Sequence, residues 1–70
     1  MDKWGQYLVD FFYHRDGKTV YDHDVYFGRN ATSAVEDARA EYGELPGFKV
    51  LKVCFGRDQF WELDESWRDW

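Results

Sequence analysis

The sequence predicts an α+β fold: a single small domain of element order β-β-α-β-β, with a four-stranded antiparallel sheet and one helix on one face. Three observations carry this prediction. Two segments rich in aromatic and β-branched residues, 6–14 and 18–27, flank the turn sequence Arg15-Asp16-Gly17, which is typical of a β-hairpin. A capped helical segment follows at 30–42, and two further β-type segments come after it. A chain of 70 residues has room for one domain.

The length of the hairpin loop decides which side chains share a face of the sheet. A two-residue loop places Phe11 opposite Asp22, and both faces then have mixed polarity. A three-residue loop, with Gly17 in the left-handed conformation of a bulge, separates an apolar face from an acidic one. Because register usually follows the hydrophobic pattern, the sequence predicts the three-residue loop.

The predicted acidic face is the most informative feature of the sequence. In the three-residue register Asp10 lies directly opposite Asp22. On the same face, Asp24 lies opposite Leu8. Like charges opposed across two strands destabilise a sheet, so a small domain that keeps them is expected to use them. The alternative is that the aspartates are solvated and only protect an edge strand from aggregation.

The helix is predicted from its caps and its apolar stripe. Ser33 and Glu36 have the spacing of a capping box, with Ser33 as the N-cap. Asn30 or Thr32 is the alternative N-cap, and Gly43 is the expected stop. The apolar stripe consists of Val35, Ala38 and Tyr42.

Acidic residues also line the helix. They are Glu36, Asp37, Glu41 and Glu44. Asp37 and Glu41 are four residues apart, and a like-charge pair at this spacing does not stabilise a helix. A helix face exposed to solvent is the simpler interpretation of these acids. Glu36, Asp37 and Glu41 are nevertheless candidate partner-binding residues.

The remaining strands are predicted at 48–55 and 59–63. The first of them carries a lysine on each face, so the spacing leaves its orientation ambiguous. A right-handed crossover through the helix, with the first strand filling the gap, gives the spatial order 2-1-3-4. The domain is expected to span 1–70, with an ordered core at about 6–63 and a C-terminal tail at 64–70.

Composition limits the class of protein. Acidic residues outnumber basic ones by 14 to nine, and the net charge of −5 disfavours a nucleic-acid binder while suiting solubility or a basic partner. Aromatic residues are 21% of the chain, and a surplus over the needs of a small core is expected on a partner-binding surface. The expected aromatic anchors are Trp61, Trp67 and Trp70.

The compartment is expected to be the cytoplasm. The lone cysteine, Cys54, excludes an internal disulfide and suits a reducing environment. The polar N-terminal segment is unlike a signal peptide, and no apolar run approaches the length of a membrane span. We therefore expect no membrane partner.

The sequence offers little for catalysis or for a metal. Asp22, His23 and Asp24 are adjacent, but alternation along a strand points the histidine to the opposite face from both aspartates. Cys54 lies in an apolar strand and is expected to be a buried, inert thiol. No glycine-rich phosphate loop is present. The chain is therefore expected to be non-enzymatic, without a metal or another cofactor.

Protein binding is the first expected function, and two further functions stay open as alternatives. The second is a small accessory or structural domain that homodimerises weakly through the open sheet face or the tryptophan-rich tail. The third is a nucleic-acid-binding module that stacks bases on Phe12, Tyr26 or Trp61. Its basic patch would be Lys49, Lys52, Arg57 and Arg68. Because the net charge opposes phosphate contacts, no direct nucleic-acid partner is expected.

The chain from Tyr7 to Leu63 resembles small phage-encoded anti-defence proteins, including anti-CRISPR inhibitors, in size, acidity, aromatic content and element order. The resemblance implies a stoichiometric inhibitor, acting in the host cytoplasm, that occupies a basic nucleic-acid-binding site on an effector protein or ribonucleoprotein. An acidic surface suits such a site and gives fast, salt-sensitive association. The expected partner-binding residues are Asp10, Asp22, Asp24, Glu36, Asp37, Glu41, Trp61, Trp67 and Trp70.

Overall fold

The structure is a computed structural model that describes residues 3–68. Its elements are β1 (Gly5–Arg15), β2 (Lys18–Gly28), α1 (Ala31–Tyr42), β3 (Lys49–Arg57), β4 (Phe60–Leu63) and a 3₁₀ turn (Ser66–Arg68). The four strands form one antiparallel sheet in the order β2-β1-β3-β4. The helix packs on one face of this sheet, so the predicted fold class, element order and strand order are confirmed.

The hairpin between β1 and β2 has a two-residue loop, and the predicted three-residue loop is wrong. Asp16 and Gly17 have positive φ values of 53° and 75°, as a type I′ turn requires. Phe11 consequently lies opposite Asp22. The Asp-Gly turn prevails over the hydrophobic pattern because β2 is an edge strand, whose polar side chains can reach solvent on either face.

This register removes the predicted acidic face. Asp10 lies opposite His23 and projects from the side of the sheet away from α1, which we call the open side. Asp22 and Asp24 project from the other side, which they share with the buried Phe11. Asp10 and Asp22 are therefore not opposed, and the three aspartates do not form one surface.

The core lies between α1 and the sheet. Its fully buried large side chains are Tyr7, Val9, Phe11 and Val53. The helix contributes Ala31, Ala34, Val35 and Ala38, whose small side chains let it approach the strands closely. Around Phe11, the rings of Tyr42 and Phe48 lie with centroids 4.7 and 5.2 Å away. Such pairs add about 0.5–1.5 kcal/mol each beyond area burial, which helps a domain this small to be stable without a disulfide.

Asn30 is the N-cap of α1, and the predicted capping box of Ser33 and Glu36 is wrong. Asn30 has an extended backbone, and its side-chain oxygen accepts a hydrogen bond from the Ser33 backbone N–H at 2.8 Å. A cap of this kind contributes about 1 kcal/mol. Gly43 ends the helix as predicted, with its N–H donating to the Arg39 carbonyl at 2.8 Å.

A β-bulge interrupts the pairing of β3 with β1. The consecutive residues Asp10 and Phe11 lie opposite Lys52 and Val50, respectively. Leu51 is therefore an extra residue with no counterpart on β1. In a regular strand, residues three apart project from opposite faces. The extra residue at the bulge places such residues on the same face.

The bulge decides the orientation of β3, which the spacing of its lysines leaves ambiguous. Lys49 and Lys52 both project from the open side of the sheet. Val50 and Val53, also three residues apart, are both buried on the helix side. Both β3 lysines thus belong to one surface.

The residues after β4 pack back onto the domain. The Asp64 N–H donates to the Val53 carbonyl at 2.8 Å, and Trp67 is half-buried against the core. The Arg68 guanidinium lies 4.4 Å from the centroid of the Trp67 ring and donates to the Leu51 carbonyl at 2.6 Å. These contacts hold the 3₁₀ turn beside the bulge of β3.

Candidate functional site

Two hydrogen bonds between tyrosines and carboxylates connect β2 to α1. The Tyr42 hydroxyl on α1 donates to Asp24 Oδ2 on β2 at 2.7 Å. In the reverse direction, the Tyr26 hydroxyl on β2 donates to Glu41 Oε1 on α1 at 2.6 Å. These bonds explain why β2 presents polar side chains on its helix side: the helix supplies partners for them.

The carboxylates along this junction form the first candidate surface, which we call the acidic rim. It consists of Asp22, Asp24, Asp37 and Glu41. Asp22 lies two residues from Asp24 on the same side of β2, and Asp37 lies one helical turn before Glu41. All four are predicted partner-binding residues, although the sequence places them on separate surfaces.

The carboxylates of the rim contribute to the raised pKa values of both tyrosines. The hydrogen bond to Asp24, followed by desolvation, raises the pKa of Tyr42 to about 12. Burial is the largest cause that raises the pKa of Tyr26, and its hydrogen bond to Glu41 is the next. Both hydroxyls therefore remain protonated, as donors to the carboxylates, to a higher pH than an ordinary tyrosine.

The two aspartates of the rim also cover the free edge of β2. Asp22 Oδ1 accepts from the His23 backbone N–H at 2.8 Å, and Asp24 Oδ1 accepts from the Val25 N–H at 2.8 Å. In the observed register these two N–H groups point away from β1, toward solvent. The contacts support the edge-protection interpretation of Asp22 and Asp24, because a bonded edge amide is less available to another strand. They leave the charges in place.

No lysine or arginine within residues 3–68 forms an ion pair with the acidic rim. The ion pairs of this part of the chain are Lys52–Asp10 at 3.8 Å, Arg57–Glu62 at 3.5 Å and Arg68–Glu65 at 3.6 Å. The rim is therefore a patch of carboxylates without a lysine or arginine partner among residues 3–68.

The remaining predicted site residues lie elsewhere. Asp10 is on the open side, paired with Lys52. Glu36 is exposed on α1, about 100° around the helix from Asp37. Among the predicted tryptophan anchors, Trp61 is on the open side and Trp67 packs against the core. Trp70 lies outside the described residues. The structure thus separates the predicted acids from the predicted aromatic anchors.

The open side of the sheet carries the second candidate surface, which we call the aromatic face. It consists of Trp4, Phe12, Tyr21, Phe27 and Trp61. Trp4 and Phe27 lie with ring centroids 5.9 Å apart, and Phe12 and Tyr21 meet edge-on at 5.9 Å. The Trp61 ring lies over Gly56, where an added Cβ would come within 2.8 Å of the ring. No layer of the described chain covers these rings.

Three members of the aromatic face are not predicted from the sequence to lie on an exposed surface. Tyr21 and Phe27 are 71% and 69% exposed, although the three-residue register assigns them to the core face. Tyr26, expected on an open face, lies on the helix side instead. Trp4, 64% exposed, precedes the predicted core. The Asp16-Gly17 dipeptide was the signal that would have placed the β2 residues correctly.

Features that suggest chemistry are sparse in the described residues. His23 faces away from Asp22 and Asp24, as strand alternation predicts. Within residues 3–68, no group of three or more His, Cys, Asp and Glu side chains is placed to hold a metal ion. Cys54 is half-buried on the open side opposite Leu63, so the expectation of a buried thiol is corrected.

The fold and its surfaces define a small antiparallel α+β domain whose sheet is covered on one side and open on the other. Neither a protein-family model, nor a curated protein, nor a solved structure matches this chain. No helix within residues 3–68 is long and apolar enough to cross a membrane. Function is therefore inferred from the acidic rim and the aromatic face.

Proposed function

We propose that this chain is a non-enzymatic, protein-binding inhibitor of the anti-CRISPR type, which occupies a basic nucleic-acid-binding site on an effector protein or ribonucleoprotein. Such an inhibitor acts in the cytoplasm of the host cell. The observation that carries the proposal is the acidic rim. Its members are unpaired with any cation of the described residues, and two of them are held by tyrosine hydroxyls.

The rim suits a basic channel for electrostatic reasons. A site that binds DNA or RNA presents lysine and arginine side chains to phosphates. A patch of carboxylates without cation partners presents negative charge to those side chains, as phosphates do. Complementary charge raises the association rate and makes it sensitive to salt. The rim would thus compete with nucleic acid for the channel.

Pre-organisation adds to this attraction. Asp24 and Glu41 are oriented by Tyr42 and Tyr26, so their carboxylates lose little conformational freedom on binding. Both tyrosines belong to the junction of β2 with α1, which fixes the spacing between strand and helix carboxylates.

The experiment measures how the chain affects binding of labelled target DNA to a panel of purified CRISPR effector complexes, by fluorescence anisotropy at low and high salt. The test variant is Asp22→Asn with Asp37→Asn, because neither residue bonds a tyrosine and asparagine keeps an acceptor oxygen for the His23 N–H. We expect the parent to inhibit target binding, and the test variant to need about tenfold more protein at low salt.

The matched control is Asp16→Asn with Asp58→Asn. It removes the same charge from two exposed turns, and asparagine tolerates their positive φ values of 53° and 57°. The control should inhibit like the parent. Equal inhibition by the test and control variants would remove the rim from the proposal. A parent that inhibits no effector in the panel would contradict the anti-CRISPR function itself.

A further inference from the structure

The open side of the sheet has a different charge from the rest of the molecule. Of the carboxylates carried by the four strands, Asp22, Asp24 and Glu62 project from the helix side, and only Asp10 projects from the open side. Asp10 is paired with Lys52 at 3.8 Å. The net charge of −5 therefore belongs mainly to the helix side and the loops.

The bulge at Leu51 brings a second lysine to the open side. It turns Lys49 to the same side as Lys52, and Lys49 has no ion-pair partner within residues 3–68. His14 and His23 project from this side as well. Among the strand side chains of the open side, two lysines therefore outnumber the one carboxylate, Asp10.

Aromatic rings lie next to Lys49 and further along the open side of the sheet. Lys49 lies directly opposite Phe12, whose ring contacts Tyr21 and His14 at centroid distances of 5.9 and 6.0 Å. A second group, Trp4 with Phe27, lies six residues further along β2 from Tyr21, or about 20 Å. The rings are therefore distributed along the sheet and are not collected into one hydrophobic spot.

We propose that the aromatic face, with Lys49 and Lys52, is a binding site for single-stranded nucleic acid. Bases stack on the exposed rings, and the lysines contact phosphates. A single strand fits because its unpaired bases expose their faces, whereas a duplex hides them. The site is separate from the acidic rim and does not depend on the inhibitor function.

Charge also decides against a second copy of the chain as the occupant. Two open sides packed face to face would bring like-charged lysines together, and Asp10, the only carboxylate that the four strands carry on this side, is already paired with Lys52. The expectation of no direct nucleic-acid binding came from the net charge of the whole chain. That value does not describe this surface.

The experiment titrates the chain alone into labelled oligonucleotides of about 20 nucleotides, single-stranded DNA, single-stranded RNA and duplex DNA, by fluorescence anisotropy. We expect single strands to bind with a micromolar Kd at about 50 mM salt, more weakly at higher salt, and duplex to bind at least tenfold more weakly. Tyr21→Ala with Phe27→Ala should weaken single-strand binding by about tenfold or more. Lys49→Gln should lower the affinity and reduce the salt slope by about one.

Matched controls keep the test specific. Phe60→Ala removes a ring that is 74% exposed but projects from the helix side of β4, and Arg39→Gln removes a helix cation. Both should bind single strands like the parent, and thermal unfolding should be cooperative for every variant. The proposal is overturned if no oligonucleotide binds, if duplex binds as tightly as single strands, or if Phe60→Ala loses as much affinity as the Tyr21 and Phe27 double variant. Sedimentation showing a dimer that Tyr21→Ala dissociates would assign the face to a second copy instead.

Discussion

The two sides of the edge strand β2 are used in opposite ways. On the helix side, Asp24 and Tyr26 are tied to α1 through side-chain hydrogen bonds. On the open side, Tyr21 and Phe27 project into solvent, with roughly seven-tenths of each side chain exposed. A simple amphipathic strand would show the reverse arrangement, with its apolar residues toward the helix.

This comparison shows how a small domain can satisfy a strand of the wrong polarity. The helix packs on the sheet, where β1 and β3 supply the buried valines and aromatics, and it also contacts β2, whose Val20 and Tyr26 are only partly buried. Where a side chain of β2 meets the helix, a polar group is tolerated as long as it has a hydrogen-bond partner. On the helix, Tyr42 is the partner of Asp24 and Glu41 is the partner of Tyr26, so β2 can keep Tyr21 and Phe27 on the open side.

The comparison also shows that net charge is a poor guide to a surface. The helix side carries the acidic rim, whereas the open side carries Lys49 and Lys52 with a single carboxylate. A partner of either sign can therefore meet a complementary surface on this molecule. Three variants test this difference between the helix side and the open side of the sheet.

The largest effect on stability is expected from a large-to-small substitution in the core on the covered side. Phe11→Ala removes a fully buried ring that packs against Tyr42 and Phe48, and should cost about 3–5 kcal/mol of unfolding free energy. That loss is comparable to the whole stability of a core this size, so the variant should be largely unfolded at 25 °C. Tyr21→Ala, on the open side, should change stability by less than about 1 kcal/mol. Chemical denaturation followed by circular dichroism measures both, and equal losses would mean that the open side is not solvent-exposed.

A smaller effect is expected at the turn that sets the register. Gly17 has a φ of 75°, and Gly17→Ala should destabilise the domain by about 1 kcal/mol because an alanine is strained there. No atom lies within 4 Å of the added Cβ, so the loss would come from the backbone alone. Asp16→Asn is the control, since asparagine accepts the positive φ of 53°. An unchanged melting temperature for Gly17→Ala would contradict the type I′ turn and with it the assignment of side chains to the two sides.

The smallest effect concerns the tie between α1 and β2. The pKa of Tyr42 is raised from 10.0 in the unfolded chain to about 12 in the fold, so the protonated hydroxyl is the form that the fold favours. The resulting stability is fully present below pH 10 and is lost as the pH rises toward about 12. Tyr42→Phe should flatten this alkaline decline. Absorbance titration of tyrosinate checks the prediction directly: a parent in which every tyrosine titrates near pH 10 would contradict the hydrogen bond to Asp24.

Several parts of this protein follow from local sequence alone. The position of the hairpin, the helix from Ala31 to Tyr42 and the order of the four strands were predicted from turn residues, helix periodicity and crossover handedness. The length of the hairpin loop was predicted wrongly, because the hydrophobic pattern was given more weight than the Asp16-Gly17 dipeptide. Of the candidate site, the sequence supplied the carboxylates of the acidic rim as residue types. It also indicated correctly that His23 and its neighbouring aspartates face apart.

Tertiary structure decided which of these residues meet. The register of β2 and the bulge at Leu51 each shift side chains from one face to the other, because the side-chain period of a strand is two and a single residue reverses it. The pattern of β2 favours the wrong register only if an edge strand must bury its apolar residues. That condition is relaxed here because Tyr42 on the helix supplies a hydrogen bond to Asp24. Local sequence therefore determined the elements of the fold, and long-range hydrogen bonds and packing determined the two surfaces on which function depends.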